Sequence, residues 1–331
     1  MKNEHKAPRT VSRIIAVEEH FATKAFLEGP GHWLRKREDA DQLIDRLCDL
    51  GEIRLNDMDA AGIDIQVLSL NAPGVEQLQP DKAVEMARES NEILAEAVKR
   101  YPLRFAGFAS LATPSPEKAA DELERMVQDY GFKGGVINGH SQGRYMDDEF
   151  FWPVLEKAES LNVPLQIHPS RPPQALIDTS YTGNFSTEIA RRLSLFAWGW
   201  HIETAIHILR LILSGVFDRF PNLQIIVGHL GEGLSFMLPR IDQKLPKEAT
   251  RLKKSIKDYF NSNLYFAVSG FNYLPPFLNL LHEVGTERIL FSVDYPHGSI
   301  SQACDFLERI PVSPVDREKI AHGNGELLLG L

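Results

Sequence analysis

Short apolar runs alternate along the chain with longer segments whose apolar residues recur at helical spacing. Most of the runs are continuous, which is typical of parallel strands covered by helices on both faces. The pattern predicts eight strands, at residues 14–17, 66–70, 104–110, 134–137, 165–167, 224–227, 264–267 and 289–292.

The segments between these strands carry helix signals. Residues 82–100 and 274–284 have apolar positions on one helical face. A further helix is predicted to begin at Pro116, with Ser115 as its N-cap, and to end at Gly131. Strand and helix alternating in this way predict an α/β fold, the parallel (β/α)8 or TIM barrel.

No linker or shift in composition divides the chain, so we expect one barrel domain over residues 1–331. Residues 1–13 are expected to be a polar N-terminal extension. Two segments, 26–51 and 170–200, are long for loops, and we expect lids or subunit contacts there.

Charge and hydropathy narrow the class of protein. There are 36 Lys and Arg against 45 Asp and Glu, a net charge of −9, which argues against a nucleic-acid partner. The N-terminus lacks the apolar run of a signal peptide, and no stretch approaches the ~18 apolar residues of a membrane span. Cys48 and Cys304 have no metal-binding or redox spacing, so two buried free thiols are expected. A cytoplasmic protein without a membrane partner is therefore predicted.

Polar side chains follow nearly every predicted strand. In a barrel of this type the active site lies at the carboxyl ends of the strands, so these residues are expected to converge. They are Glu18, Glu19 and His20 after strand one, Asn71 after strand two, Asn138 and His140 after strand four, His168 after strand five, His229 and Glu232 after strand six, Ser269 after strand seven and Asp294 after strand eight.

Four of these residues form a candidate metal site. Glu18 and His20 are two apart on an extended strand end, so both side chains point the same way. His168 and Asp294 can join them across the barrel mouth. Two imidazoles and two carboxylates suit one divalent metal, with Zn²⁺ the first candidate and Mn²⁺ the alternative.

Other residues are candidates for acid–base chemistry and for substrate binding. His229 lies in a glycine-flanked turn, where an acid–base role oriented by Glu232 fits as well as a fifth ligand. Arg240 is either a surface residue or an anion clamp over the barrel mouth. His201 and His207 are expected to pack within a helix. The remaining candidates for substrate contact are Asn71, His140, Trp200 and His297.

Five motifs in order along the chain resemble a known family. The chain is similar to the amidohydrolase-related decarboxylases, the aminocarboxymuconate-semialdehyde decarboxylase family, and within it to the hydroxybenzoate branch. That branch includes the γ-resorcylate, 2,3-dihydroxybenzoate, salicylate and 5-carboxyvanillate decarboxylases. The motifs are Glu18-Glu19-His20-Phe21, Asn71-Ala72-Pro73, Ile167-His168-Pro169, Gly228-His229-Leu230-Gly231-Glu232-Gly233 and Phe291-Ser292-Val293-Asp294-Tyr295-Pro296.

The resemblance implies a function and a set of roles. It implies that Glu18, His20, His168 and Asp294 hold the metal, that His229 and Glu232 form an acid–base relay, and that Arg240 meets the substrate carboxylate. The reaction implied is the loss of CO₂ from an ortho-hydroxybenzoate, with Asp294 carrying the proton that reaches the ring before the C–C bond breaks. The resemblance also suggests a homodimer or homotetramer acting on a small aromatic carboxylate.

Two other functions are compatible with the same residues. A metal-dependent hydrolase, lactonase or hydratase of aromatic catabolism would use Asp294 as the base that activates water. A non-catalytic metal-binding barrel would bind metal without turnover. The fold cannot separate these functions, because chemistry is decided by the site.

Overall fold

The predicted strands form a closed parallel barrel in the computed structural model, which describes residues 10–331. Each strand pairs in parallel with the next along the chain. The strands are β1 (Ile15–Phe21), β2 (Ile65–Leu70), β3 (Phe105–Gly107), β4 (Ala109–Ser110), β5 (Gly135–Asn138), β6 (Leu165–His168), β7 (Ile225–Val227), β8 (Leu264–Ala267) and β9 (Ile289–Leu290).

Nine strand segments make eight barrel strands, because β3 and β4 are two parts of one strand that is interrupted at Phe108. The amide of Phe108 still bonds to the carbonyl oxygen of Leu68, at 2.9 Å, so the interruption does not open the barrel. The last strand returns to the first, since Val17 N–H donates to the carbonyl oxygen of Phe291 at 3.0 Å. The (β/α)8 prediction is confirmed.

Helices connect the strands and cover the outside of the barrel. Two 3-10 turns (His32–Lys36 and Glu149–Phe151), a short turn at His229–Gly231 and a π-helical turn at Lys319–Gly323 supplement them. The α-helices are α1 (Lys24–Glu28), α2 (Ala40–Cys48), α3 (Glu52–Ala61), α4 (Pro80–Arg100), α5 (Pro116–Tyr130), α6 (Trp152–Ser160), α7 (Gln174–Ser180), α8 (Thr187–Ser194), α9 (Gly199–Leu213), α10 (Val216–Arg219), α11 (Leu234–Lys244), α12 (Lys247–Thr250), α13 (Ile256–Asn263), α14 (Leu274–Val284), α15 (Ile300–Arg309), α16 (Pro314–Glu318) and α17 (Asn324–Leu329).

The two faces of the strands contribute to two separate apolar cores. Alternate strand residues such as Val67, Val136 and Ile226 form a small inner core, together with Leu329 from the last helix. The other face packs against the helices in a much larger outer core. This two-sided burial explains why the strands are continuous apolar runs in the sequence.

A register irregularity in β1 decides which residues enter the barrel. Ile15 and Val17 belong to the inner core, so strict alternation would turn Glu18 and His20 outward. The pairing with β2 shifts between Ala16 and Glu19. After this shift Glu18 and His20 face the barrel interior and Glu19 faces away from it.

Several local expectations need correction. Cys48 is exposed and Cys304 is half-buried, so the two thiols are not buried, although neither forms a disulfide. Ser115 is the N-cap residue of α5, as predicted, although its side chain makes no capping hydrogen bond. The long segments 26–51 and 170–200 are partly helical, containing α2, α7 and α8.

The described part of the expected N-terminal extension is anchored. Val11 is buried, and Thr10 and Ser12 bond to the carboxylates of Glu308 and Glu318. Residues 1–9 lie outside the described residues. Over residues 10–331, none of the helices combines the length and the hydropathy that a bilayer crossing requires.

Candidate active site

Four side chains from three strand ends converge at the mouth of the barrel. One ligand atom each from Glu18, His20, His168 and Asp294 lies within 4.8 Å of all the others. Glu18 and His20 come from β1, His168 from the end of β6, and Asp294 from the loop after β9. The structure therefore brings together the four residues that the sequence selected as metal ligands.

Two atoms of this cluster lack the hydrogen bonds that buried polar atoms require. Glu18 Oε1 and His20 Nε2 are buried without a hydrogen-bond partner. His20 Nε2 lies only 3.0 Å from Asp294 Oδ1, and His168 Nε2 lies 3.6 Å from Glu18 Oε1. Lone pairs directed at one small volume are what a divalent cation would satisfy, so the residues present fit a metal ion.

His168 is in the protonation state that metal binding needs. Its Nδ1 lies 2.8 Å from the carbonyl oxygen of Pro169, which accepts a hydrogen bond from Nδ1–H. Nε2 therefore keeps a free lone pair. Burial, followed by the nearby His20 and His229, holds the pKa of His168 well below its usual value. The ring is therefore neutral, as a ligand must be.

The carboxylate of Glu18 is closely surrounded by Ser269 and Gly228. Its Oε2 accepts a 2.6 Å hydrogen bond from Ser269 Oγ, and its side chain is fully buried. A Cβ on Gly228 would lie 2.6 Å from that same Oε2, closer than any side-chain carbon can approach. Only glycine at position 228 leaves Glu18 room to face the cluster.

Asp294 is the member of the cluster that is open to the barrel mouth. Its side chain is 21% exposed, against 0–7% for Glu18, His20 and His168. Burial raises the pKa of Asp294, but the close contact with His20 outweighs burial, so the pKa lies below its usual value. The carboxyl is thus ionised in this arrangement, and the expected proton on Asp294 has to come from elsewhere.

A second cluster lies beside the first, centred on the carboxylate of Glu232. His229 Nδ1 is 2.8 Å from Glu232 Oε1, and His201 Nδ1 is 2.6 Å from Glu232 Oε2. Trp200 Nε1 donates to His201 Nε2 at 3.0 Å, so the remaining proton of His201 is on Nδ1 and points at Glu232. The relay thus contains two histidines on one carboxylate, instead of the single pair expected.

The charges in this relay support one another. Burial opposes the charge on His229, but Glu232, Glu18 and Asp294 together raise the pKa of His229 to about 10. Burial likewise raises the pKa of Glu232, and the two histidines lower it to below its usual value. His229 Nδ1 lies 4.0 Å from Glu18 Oε1, so the relay adjoins the candidate metal site.

Aromatic side chains cover the relay. The Phe271 ring packs edge-on against both His201 and His229, with ring centres 5.2 Å apart in each case. Trp200 stacks edge-on with Phe196 at 5.8 Å. These rings line one side of the relay, and contact between Trp200 and a substrate stays a prediction.

The other predicted contact residues lie around the mouth in different ways. His297 Nε2 is 2.7 Å from Asn71 Oδ1, and its ring centre is 5.8 Å from that of His20. His140 accepts a hydrogen bond at Nδ1 from the amide of Gly143, so this ring is bound into the loop after β5. Arg240 is exposed on α11, and its side chain makes no hydrogen bond or ion pair within residues 10–331. The structure therefore does not join Arg240 to the cluster.

Two residues of the site are not predicted by the sequence pattern. His201 was expected to pack, because it lies in a helical pattern, yet it occupies the first turn of α9 at the barrel mouth. Phe271 follows β8 in a loop without any periodic signal. A usable signal for His201 was its position at the start of a helix that leaves the carboxyl end of the barrel.

Comparison with known proteins identifies the family of the chain. The profile of the Amidohydrolase family matches residues 27–331. The chain is 40% identical to a gamma-resorcylate decarboxylase of Polaromonas sp. (strain JS666), an alignment that covers 96% of this chain and 98% of the relative.

Two solved structures of decarboxylases have the same fold. A dihydroxybenzoic acid decarboxylase of Polaromonas sp. JS666 with bound manganese and 2-nitroresorcinol is 39% identical, with a TM-score of 0.89 over 96% of this chain and 97% of that one. A 5-carboxyvanillate decarboxylase of Novosphingobium aromaticivorans, complexed with manganese and a nitrobenzoic acid, is 33% identical, with a TM-score of 0.90 over 98% of both chains. The bound metal is manganese in both, so zinc as first candidate finds no support. The chain described here belongs to the amidohydrolase family and has a site for a divalent metal.

Proposed function

We propose that this protein is a metal-dependent carboxy-lyase that removes CO₂ from an ortho-hydroxybenzoate. The observation that carries the proposal is the position of Asp294, which belongs to the metal-ligand cluster and is also its accessible member. An acid in this position adjoins both the metal and any ring bound at the mouth. The relatives at 33–40% identity, which are named as decarboxylases of hydroxybenzoates, support the same reaction.

The metal ion would be held by Glu18, His20, His168 and Asp294. When bound, it would supply Lewis-acid stabilisation for the substrate carboxylate and the adjacent phenolic oxygen. We take Mn²⁺ as the first candidate, because the two related structures contain it. Zn²⁺ accepts the same donors and is the alternative.

Proton transfer is the task of Asp294. As the substrate binds, its phenol loses a proton to the Asp294 carboxylate, which then donates that proton to the ring carbon bearing the carboxylate. The ring becomes ketone-like, the C–C bond breaks, and its electron pair restores the aromatic ring as CO₂ departs. The phenolate then needs one proton, and the His229–Glu232–His201 relay can supply it from solvent.

Aromatic and polar side chains around the mouth would hold the ring. Trp200 and Phe271 offer flat apolar faces, and Asn71 with His297 offers polar groups on the side of His20. His140 and Arg240 remain proposed substrate contacts, with Arg240 as the partner of the carboxylate.

A turnover screen tests the proposal. Purified protein loaded with Mn²⁺ is incubated with 2,6- and 2,3-dihydroxybenzoate, salicylate, 5-carboxyvanillate and aromatic-pathway lactones. We expect CO₂ and the matching phenol, and we expect both to disappear after chelation of the metal. A lactone hydrolysed without CO₂ would replace the proposal by the hydrolase function.

The variant D294N tests the role of Asp294. The amide keeps the shape of the side chain but cannot carry the proton, so kcat should fall by about 10²–10⁴-fold while the melting temperature is maintained. Decarboxylation at the wild-type rate in D294N would refute this role.

Two further features are part of the proposal. Exposed Ile206 and Leu213 on α9 support a homodimer or homotetramer, which the molar mass in solution tests. Cysteines outside any disulfide suit a reducing compartment, so the cytoplasm is the proposed location.

A further inference from the structure

Glu19 is a buried acid between two metal-ligand candidates, and the proposed reaction gives it no role. Its side chain is inaccessible to solvent. Because of the register shift in β1, it faces away from the barrel interior, on the side opposite to Glu18 and His20. A buried acid that is outside the reacting cluster needs another explanation.

The carboxylate of Glu19 holds the main chain on both sides of Asp294. Val293 N–H donates to Glu19 Oε1 at 2.7 Å, and Tyr295 N–H donates to Glu19 Oε2 at 3.1 Å. Asp294 itself has a φ of 65°, a left-handed conformation that residues other than glycine adopt rarely. The two bonds therefore fix the peptides on both sides of a residue whose backbone is strained.

Main-chain bonds connect the same segment to the ligands of β1. Asp294 N–H donates to the carbonyl oxygen of Glu18 at 3.0 Å, and His20 N–H donates to the carbonyl oxygen of Tyr295 at 2.7 Å. Glu19 lies between these two bonds, so its side chain and the neighbouring peptides act on one short segment.

Arg54 supports this arrangement from outside the barrel. It is fully buried, donates to the carbonyl oxygen of His20 at 2.7 Å, and lies 4.6 Å from the centre of the Tyr295 ring. Gln66 connects Arg54 to Glu19. Its Oε1 accepts a hydrogen bond from Arg54 Nη1 at 3.1 Å, and its Nε2 donates to Glu19 Oε2 at 3.5 Å. Arg54 thus holds the main chain of His20 directly and the carboxyl group of Glu19 through Gln66.

We propose that Glu19 is a positioning residue, which places the Asp294 carboxylate in line with Glu18, His20 and His168. The proposal builds on the proposed function in assuming a divalent ion at that cluster and proton transfer by Asp294. It predicts that Glu19 controls metal affinity and the proton-transfer step without contacting either the metal or the substrate.

The test compares E19Q and E19D with E122Q. E19Q replaces one acceptor oxygen by an NH₂ group that cannot accept an N–H, and E19D keeps the charge but is one methylene too short for both bonds. Glu122 is a matched control, since it is a largely buried glutamate that bonds to Asn91 and Arg125 away from the site. Mn²⁺ affinity is measured by equilibrium dialysis, melting temperature by circular dichroism, and kcat and KM at saturating Mn²⁺.

We expect Mn²⁺ to bind E19Q about 10–100-fold more weakly than the wild type, with E19D between them and E122Q unchanged. At saturating Mn²⁺, kcat of E19Q should fall by a similar factor while KM changes less. Wild-type Mn²⁺ affinity in both Glu19 variants would overturn the proposal, as would an equal loss in E122Q. If E19Q does not fold, E19D decides. If the wild type turns over no substrate, the proposed function fails, and the Mn²⁺ affinities still decide the role of Glu19.

Discussion

At the scale of single residues, the site depends on which ring nitrogen of each histidine carries a proton. Pro169 sets this for His168 and Trp200 sets it for His201, in each case by one hydrogen bond. These bonds leave the first ring free to bind a metal and turn the second toward Glu232. In both cases the residue next to the histidine in the chain decides which ring nitrogen carries the proton, and so what the ring can bind.

The variant H201F tests the extended relay. Phenylalanine fits the aromatic surroundings but removes the N–H donor from Glu232, so we expect kcat to fall by about 10–100-fold. H201Q retains a donor and should recover part of the loss. H322Q, at a half-buried histidine paired with Glu318 and Glu326, should keep the wild-type kcat. Equal kcat values in H201F and H322Q would remove His201 from the relay.

The sequence predicted the four candidate ligands that the structure brings together because each directly follows an apolar strand. It missed His201, because a histidine in a helical pattern is ordinarily a packing residue and some thirty residues separate it from the end of β6. Whether Arg240 reaches a ligand depends on how an exposed side chain is directed, which periodicity does not determine. The pKa of Asp294 depends on the distance between its carboxyl group and the His20 ring, and spacing along the chain does not give that distance.

At the scale of elements, two irregularities build the candidate metal site and the relay beside it. The register shift in β1 turns Glu18 and His20 into the barrel. The turn after β7 contains three left-handed residues other than glycine, His229, Leu230 and Glu232, which bring His229 and Glu232 within bonding distance of each other. Left-handed conformations of this kind cost about 1–3 kcal/mol each and cluster at functional sites.

The variant G228A tests the packing of this turn against β1. The added methyl group would lie 2.6 Å from Glu18 Oε2, so Glu18 must move away from the cluster. Mn²⁺ affinity should fall at least about tenfold. In the control G323A the new methyl group meets nothing closer than 3.7 Å, and affinity should be unchanged. An unaltered affinity in G228A would show that Glu18 is not held as the structure indicates.

The strands were predictable and these irregularities were not. Continuous apolar runs mark buried parallel strands, and all eight predicted runs coincide with strands of the barrel. A bulge changes the face of every following residue without altering the composition of the strand. Glu18 and His20 were therefore predicted to share a face, but which face, and the opposite placement of Glu19, required the structure.

At the scale of the whole molecule, closure of the barrel is what makes a site from distant segments. Glu18 and Asp294 are 276 residues apart in sequence, yet the bond between Asp294 N–H and the Glu18 carbonyl oxygen is 3.0 Å long. The chemistry of the site then depends on the side chains around the mouth of the barrel that contact a bound ligand.

Ring protonation by Asp294 is tested by decarboxylation of 2,6-dihydroxybenzoate in D₂O, followed by mass spectrometry of the product. We predict resorcinol with one deuterium at the carbon that lost CO₂, formed by the Mn²⁺-loaded protein, abolished by chelation and restored by added Mn²⁺. Should none of the hydroxybenzoates release CO₂ while a lactone is hydrolysed by the same preparation, Asp294 would be a base for water, and the account of ring protonation would be wrong.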